Sequence, residues 1–322
     1  MQVDFDSGIY LPEIDLWLDP TRAKKRAVVS HAHSDHFGRH DQFIVTPGTA
    51  ALLDHRYRPR GRMTEQEFGE RRDFGDFALT LLPAGHVLGS AQALVEHRGH
   101  RLLYSGDLKL APSRTAEACD VPEADTLIVE ATFGRPRYLF PPAEEVIAGI
   151  LSFCRNALAK GETPVLFAYS LGKGQEVLRC LAGAGFDIAV HGTTFGVAEV
   201  YSRLGIEFPA HEHLDRCDLR GRVLVCPPQT RRAAIFESIP RPRTAIVTGW
   251  AVDRAARWRY RVDAAFPLSD HADYGELVEY VRRVNPKRVF TVYGSDGEFA
   301  ADLRTRGYDA WPLKSAMQMR MV

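Results

Sequence analysis

At 322 residues the chain is too long for one small core and fits one large domain or two medium ones. Its 45% hydrophobic and 25% charged residues are ordinary for a globular protein. Lys plus Arg and Asp plus Glu both number 41, so the formal net charge is zero; no global basic field argues for nucleic acid, and such binding would need a local patch.

In residues 1–20, Ile14, Leu16 and Leu18 alternate before Asp19-Pro20, which predicts short strands around a turn. A strand over Arg26–Ser30 runs into His31-Ala32-His33-Ser34-Asp35-His36, four metal-capable side chains within six residues. In extended chain alternate side chains share a face, so His31 and His33 can address one ion. Asp35 and His36 then sit where the chain turns, free to reach a second. Imidazole nitrogens suit zinc, and an added carboxylate widens the choice to manganese or iron. A polar loop of solvated histidines with a capping Asp is the alternative, and the density of ligands outweighs it.

Phe43–Val45 reads as a strand, and Thr46-Pro47-Gly48 turns into a helix near Thr49–Asp54. Residues 56–73 are rich in Arg and read as irregular, either solvated or contacting phosphate. Then an arrangement recurs: an apolar run, a small residue, and a His or carboxylate. Phe77–Leu82 ends at Pro83-Ala84-Gly85-His86, Arg101–Ser105 at Gly106-Asp107, and Thr126–Val129 at Glu130. A lone Asp after Gly is usually a turn residue, but the recurrence marks His86, Asp107 and Glu130 as site residues.

From about residue 137 helices alternate with parallel-type strands. Pro141-Pro142 opens a helix with Val146, Ile147, Ile150, Leu151, Cys154 and Leu158 on its apolar face. The strand Pro164–Ala168 leads through Ser170-Leu171-Gly172-Lys173-Gly174 into another helix. Strand, Gly/Lys loop and helix N-terminus form an anion cradle, since free N–H groups and the helix dipole favour phosphate. Ile188–Val190, a helix near Val197–Leu204, Val223–Cys226 and Ala245–Val247 complete this α/β unit. The expected segments are 1–136, 137–255 and 256–322, with the middle one inserted into the others. Near the end come Ser269-Asp270-His271-Ala272-Asp273, an amphipathic helix, the strand Val289–Val292 with Tyr293-Gly294, and a helix over Glu298–Arg306. His40, His55, His97, His100, His211 and His213 lie outside the strand-end pattern and are expected at the surface.

The five cysteines, Cys119, Cys154, Cys180, Cys217 and Cys226, are scattered and odd in number. They read as thiols in a reducing compartment rather than a disulfide frame. No apolar leader and no run long enough to span a membrane is present, so a cytoplasmic protein without membrane partners is expected.

Taken together the motifs resemble the metallo-β-lactamase fold with a β-CASP insertion: Asp19 after a strand, His31/His33/Asp35/His36, His86, Asp107, Glu130, then Ser-x-His-x-Asp beyond the insertion. Pro-Ala-Gly-His-Val-Leu-Gly-Ser at 83–90 and Ala-Tyr-Ser-Leu-Gly-Lys at 168–173 resemble the bacterial DNA ligase-associated exonucleases, relatives of Artemis-type nucleases. The resemblance implies an α/β fold, an αββα sandwich carrying an inserted α/β cap. It implies two divalent ions, zinc first and manganese or iron as options, with His31, His33, His86 and Asp107 on one and Asp35, His36 and bridging Asp107 on the other. Asp19 is implied to orient a ligand imidazole. Glu130 and His271 match the motifs flanking the insertion, and His271 is implied to contact the scissile phosphate or protonate the leaving oxygen. RNA-processing members carry a His in the Val-x-Gly strand end where this chain has Val292-Tyr293-Gly294. Tyr, with an ordinary pKa of about 10, is a poor ligand, so the second ion is expected to be held more weakly and the DNA-acting branch is favoured.

The expected activity is metal-dependent hydrolysis of DNA phosphodiesters from a 5′-phosphorylated end, in repair or end processing, by a metal-activated water. Processing of RNA ends is the alternative; a small-ester hydrolase or a non-catalytic scaffold fits less well. The expected partners are DNA ends or single strands, with a functional link to an ATP-dependent DNA ligase. Ser170, Gly172 and Lys173, and also Lys109, are the expected phosphate-binding residues, although Lys109 reads equally well as a solvated turn lysine. Arg231, Arg232, Arg241, Arg243, Arg254, Arg257, Arg259 and Arg261 either track a single strand or are solvated.

Overall fold

The computed structural model of the chain describes residues 1–314. It contains two compact units, one made of Met1–Tyr138 with the chain from His271 on, the other of Leu139–Asp270. Residues 315–322 of the segment expected at 256–322 lie outside the described residues.

The first unit opens with a six-stranded sheet in chain order: β1 (Asp4–Phe5), β2 (Ile9–Leu11), β3 (Leu16–Leu18), β4 (Arg26–Val28), β5 (Gln42–Val45) and β6 (Arg62–Glu65). From β3 to β6 the strands are parallel, so each leaves its sheet at the same edge. Between β5 and β6 runs α1 (Pro47–Tyr57), begun by Pro47 and capped by Thr46, whose hydroxyl accepts from the Thr49 N–H at 3.1 Å. A second sheet starts with β7 (Arg71–Asp73), β8 (Ala78–Pro83), β9 (Ala91–His97) and β10 (His100–Tyr104), an antiparallel meander, and β11 (Thr126–Glu130) then pairs parallel to β10. The Arg-rich stretch 56–73, expected to be irregular, therefore contains β6 and β7. Both are outermost strands, where charged side chains face water and only backbone pairing to β5 and β8 defines the strand.

The second unit begins with α2 (Ala143–Ala159) and forms its own parallel sheet from β12 (Thr163–Phe167), β13 (Asp187–Val190), β14 (Glu212–His213), β15 (Arg222–Cys226), β16 (Pro242–Val247) and β17 (Ala264–Phe266), in the order β14-β13-β15-β12-β16-β17. Helices α3 (Lys173–Cys180), α4 (Gly192–Arg203) and the single turn α5 (Ala256–Arg259) connect these strands. One face of the sheet packs Leu166, Val190, Val225 and Val247 against Ile150, Cys154, Val177 and Leu178 of α2 and α3. The opposite face, with Val165, Leu224 and Ile246, packs on Leu214, Leu219, Ile239 and Val262. Because β17 pairs with β16 through Ala264, Ala265 and Phe266, this unit runs past the boundary expected at 255. Three residues are too few for a period to be read.

The chain then completes the second sheet of the first unit. Helix α6 (Tyr274–Val284), β18 (Arg288–Val292), α7 (Asp296–Thr305) and β19 (Ala310–Pro312) give the order β19-β18-β11-β10-β9-β8-β7. Alternation along its strands builds two layers. Leu102, Tyr104, Ile128 and Val292 face the first sheet, meeting Leu16, Leu18, Val28 and Ile44. Leu103, Leu127, Val129 and Val289 face the other way, onto Leu277, Tyr280 and Val281 of α6 and Phe299 and Leu303 of α7. No helix among the described residues is long and apolar enough to cross a membrane.

Candidate metal centre

Strands β8, β10, β11 and β18 of the second sheet run in one direction, and their ends deliver His86, Asp107, Glu130 and Tyr293 in turn. From the first sheet, β3 delivers Asp19 and β4 delivers the His31–His36 loop. Gly106 makes the turn before Asp107 at φ 56°; a Cβ there would lie 2.9 Å from the Ala91 carbonyl oxygen and from the Ser30 Cβ, so only glycine fits. Arg56 at the end of α1 ties down the loop by donating from Nη1 to the Ala32 carbonyl at 3.1 Å.

One ligand atom each from His31, His33, His86 and Asp107 lie within 4.8 Å of one another. His31 Nε2 is 2.9 Å and His86 Nε2 3.2 Å from His33 Nδ1. Asp107 Oδ2 is 3.5 Å from His31 Nε2 and 3.8 Å from His86 Nε2. Tetrahedral zinc with bonds of about 2.0–2.1 Å separates its ligand atoms by roughly 3.3 Å. The four contacts bracket that edge length, so the donor set fits such an ion in both chemistry and spacing. His31, His86 and Asp107 are buried and His33 is half-buried. Burial, followed by the neighbouring histidine charges, pushes His31 well below its ordinary pKa, which keeps its ring neutral and a lone pair available.

Asp107 Oδ2 also lies 3.3 Å from His36 Nε2, which puts this one oxygen among His31, His36 and His86. Burial would lower the pKa of His36, but the carboxylates of Asp107 and Asp19 more than offset it and raise the value well above the ordinary one. Burial would likewise raise the pKa of Asp107, yet the charges of His36 and His271 pull it well below the carboxylate range. Asp19 is buried behind the loop and holds both histidines. Its Oδ2 is 2.8 Å from His36 Nδ1, its Oδ1 accepts from the Ser30 N–H at 2.7 Å, and the Ser30 hydroxyl reaches His31 Nδ1 at 2.9 Å. Tyr104 donates to Asp19 Oδ2 at 2.8 Å from inside the sandwich. Neither Ser30 nor Tyr104 was signalled by a motif; their one sequence mark is adjacency to the strand ends that carry His31 and Asp107.

Glu130 is buried, accepts from the Leu108 N–H at 2.8 Å, and lies 3.0 Å from His271 Nδ1. The His271 ring sits beside that of His86, with centroids 4.4 Å apart. Asp35 stands apart from these clusters: its side chain is 79% exposed and its carboxylate is 4.0 Å from His36 Nε2. Tyr293, left-handed at φ 62°, places its ring 5.2 Å from that of His36 and its hydroxyl 3.3 Å from the Tyr104 hydroxyl. Burial pushes its pKa up to about 12, so the phenol stays neutral.

The expected phosphate cradle in the second unit is closed on itself. Gly172 N–H donates to Gln175 Oε1 at 2.9 Å, Lys173 N–H to the Leu171 carbonyl at 3.1 Å, and Gly174 N–H to the Tyr169 carbonyl at 2.8 Å. Lys173 is buried with its Nζ 3.3 Å from Asp270 Oδ1, and the Ser170 hydroxyl meets that of Thr193 at 3.0 Å. The amides that a phosphate would need are bonded within the chain, and the Lys173 cation is paired with Asp270. Lys109 is buried rather than a solvated turn lysine. His40 is buried too, contrary to expectation, with its ring nitrogens 3.2 Å from the Lys24 and Gly38 amides, and burial lowers its pKa to about 4. Within the expected Arg track, Arg243 and Arg259 pair with Asp263 and Asp253, and Arg231 and Arg241 bond backbone carbonyls.

Residues 18–156 match the family described as "Beta-lactamase superfamily domain", and residues 259–311 match the "Zn-dependent metallo-hydrolase RNA specificity domain". The chain is 46% identical over 99% of its length to a protein named "Probable DNA ligase" from Opitutus terrae, of which it spans 32%. It is 30% identical over 48% of its length to transcription termination factor FttA of Pyrococcus horikoshii, spanning 29% of that protein, and 26% identical over 52% of its length to an RNase J-like protein of Methanocaldococcus jannaschii, spanning 44% of it. The chain thus spans less than half the length of each of these relatives. The fold is shared with a protein of unknown function from Enterococcus faecalis V583, with a TM-score of 0.61 at 13% identity over 85% of this chain and 76% of that one. The two matched domains, which cover most of the first unit and reach into both ends of the inserted one, together with the strand-end His and Asp clusters, make this chain a member of the metallo-β-lactamase superfamily of metallo-hydrolases, in its β-CASP branch.

Proposed function

We propose that this chain is a metal-dependent nuclease that hydrolyses phosphodiester bonds of DNA from a 5′-phosphorylated end, acting in repair or end processing. The observation that carries this is the position of Asp107 Oδ2, within 3.3–3.8 Å of ring nitrogens of His31, His36 and His86, where one carboxylate can serve two adjacent ions. Divalent ions held there supply a water acidic enough to ionise near neutral pH and positive charge against the phosphoryl oxygens. The chain's own residues do the rest. His31, His33 and His86, with Asp107, would hold one ion, and His36, fixed by Asp19, together with Asp35 would help to hold a second. Glu130 accepts from the Nδ1–H of His271 and would stabilise its imidazolium form, whose Nε2–H could then donate to the leaving 3′-oxygen.

DNA as the substrate is supported by the neutral Tyr293 at the end of β18, where RNA-processing members carry a ligand His. It is also supported by the 46% likeness to a protein named for DNA ligation. A functional link to an ATP-dependent ligase and residence in the cytoplasm follow from the same reading. RNA is the second reading, favoured by the match of residues 259–311 to an RNA specificity domain and by the RNase J-like relative.

The test is incubation of zinc- or manganese-loaded protein with end-labelled single strands, DNA and RNA, each with a 5′-phosphate or a 5′-hydroxyl, beside His33→Ala. Stepwise loss of 5′-phosphorylated DNA, absent in the variant, is expected. Preferred cutting of RNA would hand the site to the second reading. Equal inertness of both proteins toward every strand would overturn the nuclease assignment.

A further inference from the structure

A second polar concavity lies in the first unit, between the chain that follows the metal loop, Phe37–Asp41, and the end of α1, Tyr57–Gly61. Its volume is about 790 Å³. We propose that it is a subsite for the backbone phosphates of a single-stranded polynucleotide; the polymer rests on the nuclease reading, the anion chemistry on the residues themselves.

Among the residues that line the cavity are three cationic ones, Arg39, Arg58 and Arg60, and one acidic one, Asp41. All three arginines are exposed, and among the described residues none of them forms an ion pair or a side-chain hydrogen bond. Elsewhere on the surface Arg71, Arg243, Arg259 and Arg306 each meet a carboxylate within 3.0 Å. Three uncompensated forks around one concavity are a local positive field on a chain with no net charge, and guanidinium geometry matches phosphate oxygens in pairs.

Tyr57 belongs to the wall of the cavity. It lines the same cavity with its ring, and its hydroxyl is buried without a hydrogen-bond partner among the described residues, so the ring and not the hydroxyl is what the cavity meets. The wall is preformed: the Tyr57 ring stacks on Phe37 at 5.1 Å, and Phe37 stacks on Phe43 at 5.6 Å. Those ring faces are covered, so little is left for a base to stack on, and recognition through phosphate would be indifferent to sequence. The volume falls in the range of pockets that hold a ligand of nucleotide size, larger than a free phosphate needs. Phe37 directly follows His36, and Arg56 fastens the helix end to Ala32, so the cavity is built from the same loop that carries the metal ligands.

The experiment measures affinity of metal-loaded protein for a labelled, hydrolysis-resistant phosphorothioate DNA strand across a salt series, beside inorganic phosphate and dAMP. Replacing Arg39, Arg58 and Arg60 together by Ala should weaken strand binding about tenfold or more and lower the slope of log affinity against log salt by roughly 2, as three lost phosphate contacts imply. Metal content and melting temperature serve as fold controls, and if the triple variant fails them, Arg58→Ala and Arg60→Ala alone should each lower the slope by about 0.7. Unchanged affinity and slope, or a loss confined to inorganic phosphate and dAMP, would overturn the subsite. Failure of wild-type protein to cut an unmodified strand would count against the nuclease reading instead, since binding here requires no hydrolysis.

Discussion

The metal loop after β4 and the Gly172-Lys173 turn after β12 both present polar groups at the end of a parallel strand, and they treat those groups in opposite ways. At the first, the nitrogens of His31, His33 and His86 converge to about hydrogen-bonding distance on one another and on Asp107. Ring nitrogens and a carboxylate oxygen converging at this spacing match the edges of a metal coordination sphere, in which every lone pair addresses one cation. At the second, each N–H finds a carbonyl or amide oxygen, and the Lys173 ammonium finds Asp270. A binding site is where the chain leaves its polar groups for something else, and by that measure the loop is a site and the turn is a strut.

Breaking each region should therefore give opposite signatures. His33→Ala should abolish hydrolysis and lower metal affinity by more than the roughly 100-fold typical of losing a residue that merely supports a ligand, with the fold retained; metal content and activity check this. Lys173→Met should do the reverse, costing about 3 kcal/mol by removing the buried cation paired with Asp270 while leaving metal content unchanged. Denaturant unfolding measures the first half and metal analysis the second; lost metal with intact stability would mean that the contrast is drawn wrongly.

Finer cuts sharpen the metal side. Asp19→Asn should weaken metal binding roughly 10- to 100-fold, since one carboxylate supports both His36 and, through Ser30, His31. Calorimetric titration with zinc would show it. The smallest effect concerns His40, which is buried and neutral. Because its folded pKa, about 4, lies below the unfolded value of about 6.5, its contribution is fully present above pH 6.5 and is lost as pH falls toward 4. Wild type should lose on the order of 1–3 kcal/mol across that window from this group. His40→Gln should flatten that part of the melting-temperature profile, and an unaltered slope would remove His40 from the account.

What could be read from sequence follows from how each feature is encoded. His31, His33, His86 and Asp107 were legible because potential ligands crowd one loop and recur at the ends of short apolar runs, a pattern that needs no knowledge of the packing. The layering of the second sheet was legible for the same reason, since Leu102 and Leu103 must face opposite ways. Strands β6 and β7 were not, because at a sheet edge backbone pairing replaces hydrophobic alternation as the determinant. The burial of His40, the support of Asp19 by Tyr104, and the satisfied amides before α3 depend on which distant group arrives alongside, and composition carries no record of that. Lys173 looked like an anion ligand for a reason of the same kind: a cation at a helix start attracts phosphate or a carboxylate, and Asp270, 97 residues on, is the carboxylate.

The inserted unit leaves the first one after Tyr138 and returns at His271, and the first unit pins both ends itself. The Tyr274 N–H bonds the Tyr138 carbonyl at 3.0 Å, and Glu130 holds His271. Seen from the first unit, the whole insertion is one closed loop. Closure entropy grows only with the logarithm of loop length, so a tenfold change in the insertion alters it by about 2 kcal/mol. A frame sealed in this way can exchange what it carries, lengthening, shrinking or replacing the passenger over evolutionary time while the hydrolytic framework keeps its geometry.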